Sequence, residues 1–214
     1  MPEALFRDRK DAGQKLGAAL ERYRGPETLV LGVPRGGVVV AAEAARALGA
    51  PLDVVIARKI GAPHQPELAI GAVVSGDHIR LLDEPAIRLL HVSAEYVEQE
   101  TARQLEEINR RVESYREGRP APEIQGKRVI VVDDGIATGY TIRAAVAGLR
   151  RLHPARLVLA VPVAPAAACE ELQDTADEVV CLSTPDPFMA VGIWYGVFDQ
   201  TADAEVTALL RENR

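Results

Sequence analysis

The chain has 214 residues, 48% of them hydrophobic and 26% charged, with a formal net charge of −6. That length suits one domain with a full core, and the acidic balance, with no run of Lys and Arg, argues against broad binding to nucleic acid. The longest mostly apolar segment, LVLAVPVAPAAAC, contains two prolines and is too short to span a bilayer, and the N-terminal stretch has no continuous apolar run. The sequence therefore reads as a cytoplasmic protein without a membrane partner. Cys169 and Cys181 show neither metal-ligand spacing nor a disulfide framework and read as small buried side chains; the four histidines are scattered and form no zinc pattern.

In chain order, Ala12, Leu16, Ala19, Leu20 and Tyr23 fall on one helical face that Gly25 and Pro26 terminate. Residues 28–33 form an apolar strand, the PRGG stretch breaks it, and 38–49 resume as a helix closed by Gly49. A second strand over 52–57 leads into a polar loop, 58–67. This strand, crossover helix, strand order predicts parallel pairing. Residues 68–74 and 78–82, separated by Ser75, Gly76 and Asp77, predict a hairpin. Ser93 caps a long polar helix over 94–115, whose apolar positions are Tyr96, Leu105, Ile108 and Val112. That helix reads as a solvated element lying across the body, with a dimer contact as the second reading.

Strand 128–132, helix 141–152, strand 156–163, helix 165–173 and strand 178–183 then restore the alternation, and an aromatic-rich tail ends in a helix. The expected fold class is α/β: a doubly wound, mainly parallel sheet with an inserted hairpin plus long helix and a small hood. The expected organisation is a single domain over 1–214, with a core of 28–182, an insertion of 61–125 and a hood from 183–214 to which the N-terminal helix contributes.

The stretch VIVVDDGIATGYT, residues 129–141, carries the chemistry. Adjacent carboxylates repel and are costly to desolvate, so Asp133 and Asp134 at a strand end require partners. In open parallel sheets the ligand crevice lies outside the carboxyl ends of the strands. Gly135 and Gly139 permit unusual backbone, Thr138 and Thr141 add hydroxyls, and the following helix start offers free amides to a phosphate. A phosphorylated sugar satisfies both halves: its phosphate meets the amides and its hydroxyls donate to the carboxylates. A strand ending in two acids also occurs in phosphoacceptor receiver domains. There the pair sits on the first strand, and the Gly/Thr loop would have no purpose.

Four apolar residues, two acids and a loop ending in Thr-Gly-x-Thr resemble the signature of the type I phosphoribosyltransferases. The resemblance implies that Asp133 and Asp134 contact the 2- and 3-hydroxyls of 5-phosphoribosyl-1-pyrophosphate. It further implies that Gly135, Ile136, Ala137, Thr138, Gly139, Tyr140 and Thr141 surround its 5-phosphate. By the same resemblance, Pro34, Arg35, Gly36 and Gly37 meet the pyrophosphate through a loop often containing a cis peptide. A basic residue at the end of strand 52–57, Lys59 or Arg58, reaches the same group, with Lys59 favoured. Asp133, Asp134 and Lys59 are thus the catalytic candidates.

The loop beyond Lys59, with His64 or Glu67, is expected to close over the site. The aromatic tail loosely resembles the base-binding hood of 6-oxopurine enzymes, so Phe188 and Trp194 are candidates either for stacking on a base or for packing the hood. Those enzymes usually carry an Asp where this chain has Ala137, which puts hypoxanthine or guanine as acceptor in doubt. The implied activity is transfer of ribose 5-phosphate to a nucleobase or other nitrogenous acceptor. Mg2+ would be held mainly by donor and water rather than by protein ligands. A homodimer is a family-level expectation. The alternatives are a non-catalytic regulator that binds the same donor or a nucleotide, and an α/β domain for another sugar phosphate.

Overall fold

The structure is a computed structural model and describes residues 3–76 and 79–213. Five parallel strands, β1 (Thr28–Gly32), β2 (Leu52–Val54), β6 (Arg128–Val132), β7 (Arg156–Val163) and β8 (Glu178–Ser183), make the main sheet in the order β2-β1-β6-β7-β8. Between β2 and β6 in sequence, β3 (Ala57–Ala62), β4 (Gln65–Val74) and β5 (Ile79–Leu82) form a separate antiparallel sheet. Helices α1 (Arg9–Ala19), α2 (Gly36–Leu48), α3 (Glu84–Leu89), α4 (Ala94–Arg116), α5 (Tyr140–Arg150), α6 (Ala166–Leu172) and α7 (Asp203–Glu212) complete the chain.

The central strands are apolar because both sheet faces are covered. Successive side chains alternate between two cores, as the period of two requires. Val30, Ile130, Val132 and Val158 pack with Leu16, Val40 and Leu210 on one face. Leu29, Leu31, Val129, Val131 and Leu159 pack with Ile142, Val146 and Leu149 on the other. A smaller cluster joins Phe6, Ala12 and Val163 to Trp194 and Tyr195.

The doubly wound reading agrees with this arrangement, and three local expectations are corrected. The first helix spans Arg9–Ala19, starting on an Asp8 cap, and a 3-10 turn over Glu21–Tyr23 takes the place of its expected end. Residues 58–67 are not a loop: 58–62 continue into β3, Pro63 and His64 turn, and β4 begins at Gln65. Pairing with the apolar half of β4 overrides the polar character of β3, as Arg58 and Lys59 lie opposite Val73 and Ala72. Helix α3, capped by Asp83, lies where no helix is expected. The predicted β4–β5 hairpin is present, although Asp77 and His78 lie outside the described residues.

Helix α4 has the expected Ser93 cap, which accepts a hydrogen bond from the Tyr96 amide at 3.2 Å. Its apolar stripe is spent inside the molecule, where Val97, Ile108 and Tyr115 are buried and the helix packs on β3, β4 and α7. The remaining faces carry close Arg–Glu pairs, such as Arg110 with Glu107 at 2.8 Å. Among the described residues no helix is long and apolar enough to cross a membrane.

Candidate functional site

Counted along the parallel strands alone, the order is 2-1-3-4-5, which reverses between β1 and β6 and opens a crevice at their carboxyl ends. The two strands run in register, Gly32 beside Val132, and the Val33 amide donates to the Val132 carbonyl at 2.9 Å. The loop after β1 and the acid pair after β6 therefore emerge side by side.

Two glycines set the fit between them. A Cβ on Gly37 would stand 2.7 Å from Asp133 Oδ1, and one on Gly36 would stand 2.0 Å from Asp134 Oδ2. Any side chain at Gly36 would displace the carboxylate. The Pro34–Arg35 peptide in this loop is cis.

Asp133 accepts a hydrogen bond from the Asp134 amide at 2.8 Å. Burial first, and the Asp134 carboxylate second, push the Asp133 carboxyl well above its usual range, against the pull of the Asp134 amide and the Arg9 charge. The opposing cation comes from outside the sequence motif: Arg9 Nε donates to Asp134 Oδ2 at 2.7 Å. The Tyr195 hydroxyl donates to the Asp134 backbone carbonyl, and Val191 fills the space a Gly135 side chain would need. Neither Arg9 nor Tyr195 was anticipated. Nothing in the mixed-charge segment FRDRKDAG separates Arg9 from its neighbours, and no local pattern links Tyr195 to Asp134.

Beyond the acids, Gly139 takes a left-handed φ of 72° and precedes α5 without any side-chain cap, so the first amides of α5 have no side-chain acceptor. A concavity of about 140 Å³ lies here, lined by Asp133 and by Gly135, Ala137, Thr138, Gly139 and Thr141 among others. Ala137, Thr138, Tyr140 and Thr141 are exposed. Ile136 differs: its side chain is 2% exposed in the core and its amide donates to the Val163 carbonyl at 3.0 Å. It anchors the loop with its amide committed to Val163, while still lining the concavity.

A larger groove of about 920 Å³ adjoins the loop at Thr138, Tyr140 and Thr141 and is bounded by Arg58, Lys59 and α4. Lys59 and Arg58 lie within β3 of the small sheet, not at a strand end of the main sheet. Lys59 pairs with Glu67 across the hairpin at 2.7 Å, and Arg58 donates to Gln104 of α4. His64 sits at the hairpin turn with a φ of 61°. The Tyr140 hydroxyl donates to the Gly71 carbonyl at 3.4 Å, joining the loop to β4.

Phe188 and Trp194 face one another, with ring centroids 6.3 Å apart. Trp194 is 6% exposed and belongs to the cluster with Phe6 and Val163. Its ring is committed to packing, whereas Phe188 is half-buried. Cys169 and Cys181 are half-buried and lie together where α6 meets β8, and burial pushes the Cys181 thiol up to about 12. Among the described residues no group of three or more His, Cys, Asp or Glu side chains is arranged to hold a metal ion.

The phosphoribosyl transferase domain model matches residues 7–194. The chain belongs to the phosphoribosyl transferase family. Its α/β fold with a mainly parallel sheet is that of the type I phosphoribosyltransferases. A hypoxanthine-guanine phosphoribosyltransferase from Bacillus anthracis, 17% identical, superposes with a TM-score of 0.50 over 87% of this chain and 86% of its own. A Thermus thermophilus protein, TT1426, is 46% identical and superposes with a TM-score of 0.86 over 97% of this chain and 98% of its own. A Mycobacterium tuberculosis protein, provisionally described as a phosphoribosyl transferase, is 46% identical over 206 residues, which are 96% of this chain. This member of the family spans 46% of the length of that curated relative.

Proposed function

We propose that the protein moves the ribose 5-phosphate of 5-phosphoribosyl-1-pyrophosphate to a nitrogenous acceptor and releases pyrophosphate. The observation that carries this reading is the convergence at one crevice of the acid pair, the uncapped start of α5 and the Gly36–Gly37 backbone. In this reading the 5-phosphate occupies the concavity at Thr138 and Thr141, the sugar hydroxyls donate to Asp133 and Asp134, and the pyrophosphate meets the loop from Pro34 to Gly37.

The bond between the sugar C1 and the pyrophosphate oxygen breaks with its electron pair leaving on pyrophosphate, and the acceptor nitrogen forms the new bond to C1. Positive character at C1 is stabilised by the nearby carboxylates. Mg2+ carried by donor oxygens and water would supply charge neutralisation for the leaving group. The β3–β4 hairpin, bearing Lys59, Glu67 and His64, is the segment that excludes water. Ala137 in the phosphate loop argues for an acceptor other than a 6-oxopurine, and Phe188 is the remaining candidate to stack on it.

Calorimetric titration with 5-phosphoribosyl-1-pyrophosphate, with and without magnesium, tests the donor half, followed by pyrophosphate release across a nucleobase panel. Magnesium-dependent binding is expected, and the Asp133→Asn, Asp134→Asn double variant should lose at least about a hundredfold in affinity or turnover. Wild-type affinity in that variant would refute the assignment. Donor binding with no pyrophosphate release from any acceptor would favour a regulator instead.

A further inference from the structure

Arg9 is the first residue of α1, set there by the Asp8 cap, whose carboxylate accepts from the Asp11 amide at 2.8 Å. Its guanidinium is held from three directions. Nε donates to Asp134 Oδ2 at 2.7 Å, Nη1 donates to the Asp199 carbonyl at 2.7 Å, and the Phe198 ring centroid lies 3.8 Å from Cζ. Only 12% of the Arg9 side chain and 17% of the Asp134 side chain are exposed. Exposed ion pairs are worth little, but one this sheltered, with a second donor taken up by the Asp199 carbonyl, restricts the orientation of both partners.

The scaffold behind the pair is equally specific. The amides of Leu5 and Phe6 donate to the Trp194 carbonyl at 2.9 and 3.1 Å, and those of Gly196 and Val197 return to Phe6 and Arg7 at 2.8 Å each. This two-way stitch fixes the start of α1 against the segment carrying Tyr195, Phe198 and Asp199. The same carboxylate is bounded on another side by Gly36, where a Cβ would also come within 2.6 Å of Arg9 Nε. Asp134 thus sits in a socket made by three distant parts of the chain.

We propose that Arg9 is a positioning residue of the donor site, which holds the Asp134 carboxylate in the orientation that receives a ribose hydroxyl. The inference rests on the donor reading given above. A carboxylate beside a second carboxylate is repelled and free to rotate; one locked by a guanidinium presents its other oxygen without a further ordering cost when the sugar arrives. Arg9 need not touch the sugar for this.

The test is a double-mutant cycle of Arg9→Gln and Asp134→Asn. Donor affinity is read by calorimetry with magnesium, inorganic phosphate binding by phosphorus NMR, and folding by thermal melting. Arg9→Gln should weaken the donor by about tenfold or more, leave inorganic phosphate within about twofold because the loop at Thr138 is untouched, and add little in the Asp134→Asn background. If Arg9→Gln does not fold, Phe198→Leu, which removes the ring beneath the guanidinium, should weaken the donor about threefold in the wild-type background and not in Asp134→Asn. Unchanged donor affinity, an equal loss of phosphate, or an equal loss in the Asp134→Asn background would overturn the assignment of Arg9. Failure of the wild-type protein itself to bind the donor would instead overturn the donor reading, and this inference with it.

Discussion

At the scale of single residues, the acid pair combines a group the fold resists ionising with one it supplies with a counter-charge. Asp133 is raised by burial and by Asp134, so the folded state holds its proton more tightly than the unfolded chain does. Below the unfolded value, 3.8, both states are protonated and no penalty arises. As pH rises from there through the raised folded value, the unfolded chain gains by ionising and stability is lost. Asp133→Asn keeps an acceptor for the Asp134 amide but has no proton to lose. The variant should therefore melt above wild type at neutral pH, by a margin that shrinks as pH is lowered towards 4; a margin independent of pH would contradict it. The pair was legible in the sequence because two acids after four apolar residues have no bland place to go. Arg9 was not, because its significance comes from a partner 125 positions away.

At the scale of elements, α4 orients the hairpin against the main sheet. The Tyr96 hydroxyl donates to the Gly61 carbonyl at 3.1 Å near one end of the helix, and Arg116 pairs with Asp53 of β2 at 3.1 Å at the other. Between them Tyr115, 1% exposed, donates to Asp203 at the start of α7. Tyr115→Phe leaves that buried packing intact and removes the hydrogen bond to a charged group, so it should cost about 1.5–3 kcal/mol in urea unfolding; a loss below about 0.5 kcal/mol would mean the bond adds nothing net. The helix was readable from its cap and its apolar spacing. Strand β3 was not, because Arg58 and Lys59 give it a polar surface whose strand character depends on β4. Helix α3, at six residues, is too short for a periodic signal.

At the scale of the whole molecule, alternation of apolar strands and amphipathic helices made the doubly wound sheet legible, since each interior strand needs a helix on either face. Amide exchange should accordingly be slowest in β1, β6 and β7, whose apolar residues are buried on both sides. It should be faster in the first part of β4, where residues 65–68 are exposed. Uniform protection across both sheets would contradict this ranking. The sheet's edges and the meeting of Phe6 with Tyr195 were not legible, because no local pattern announces a pairing between opposite parts of a chain.

That meeting bears on the order of assembly during synthesis. β1, α2 and β6 are complete long before Phe198 and Asp199 leave the ribosome, whereas Arg9 finds the Asp199 carbonyl across 190 positions. A nascent chain therefore carries its two neighbouring carboxylates for some time before the cradle of their counter-cation is finished. Contacts of such long sequence separation form late because loop closure must come first. The last part of the crevice to become ordered is then the part contributed jointly by two segments 190 positions apart.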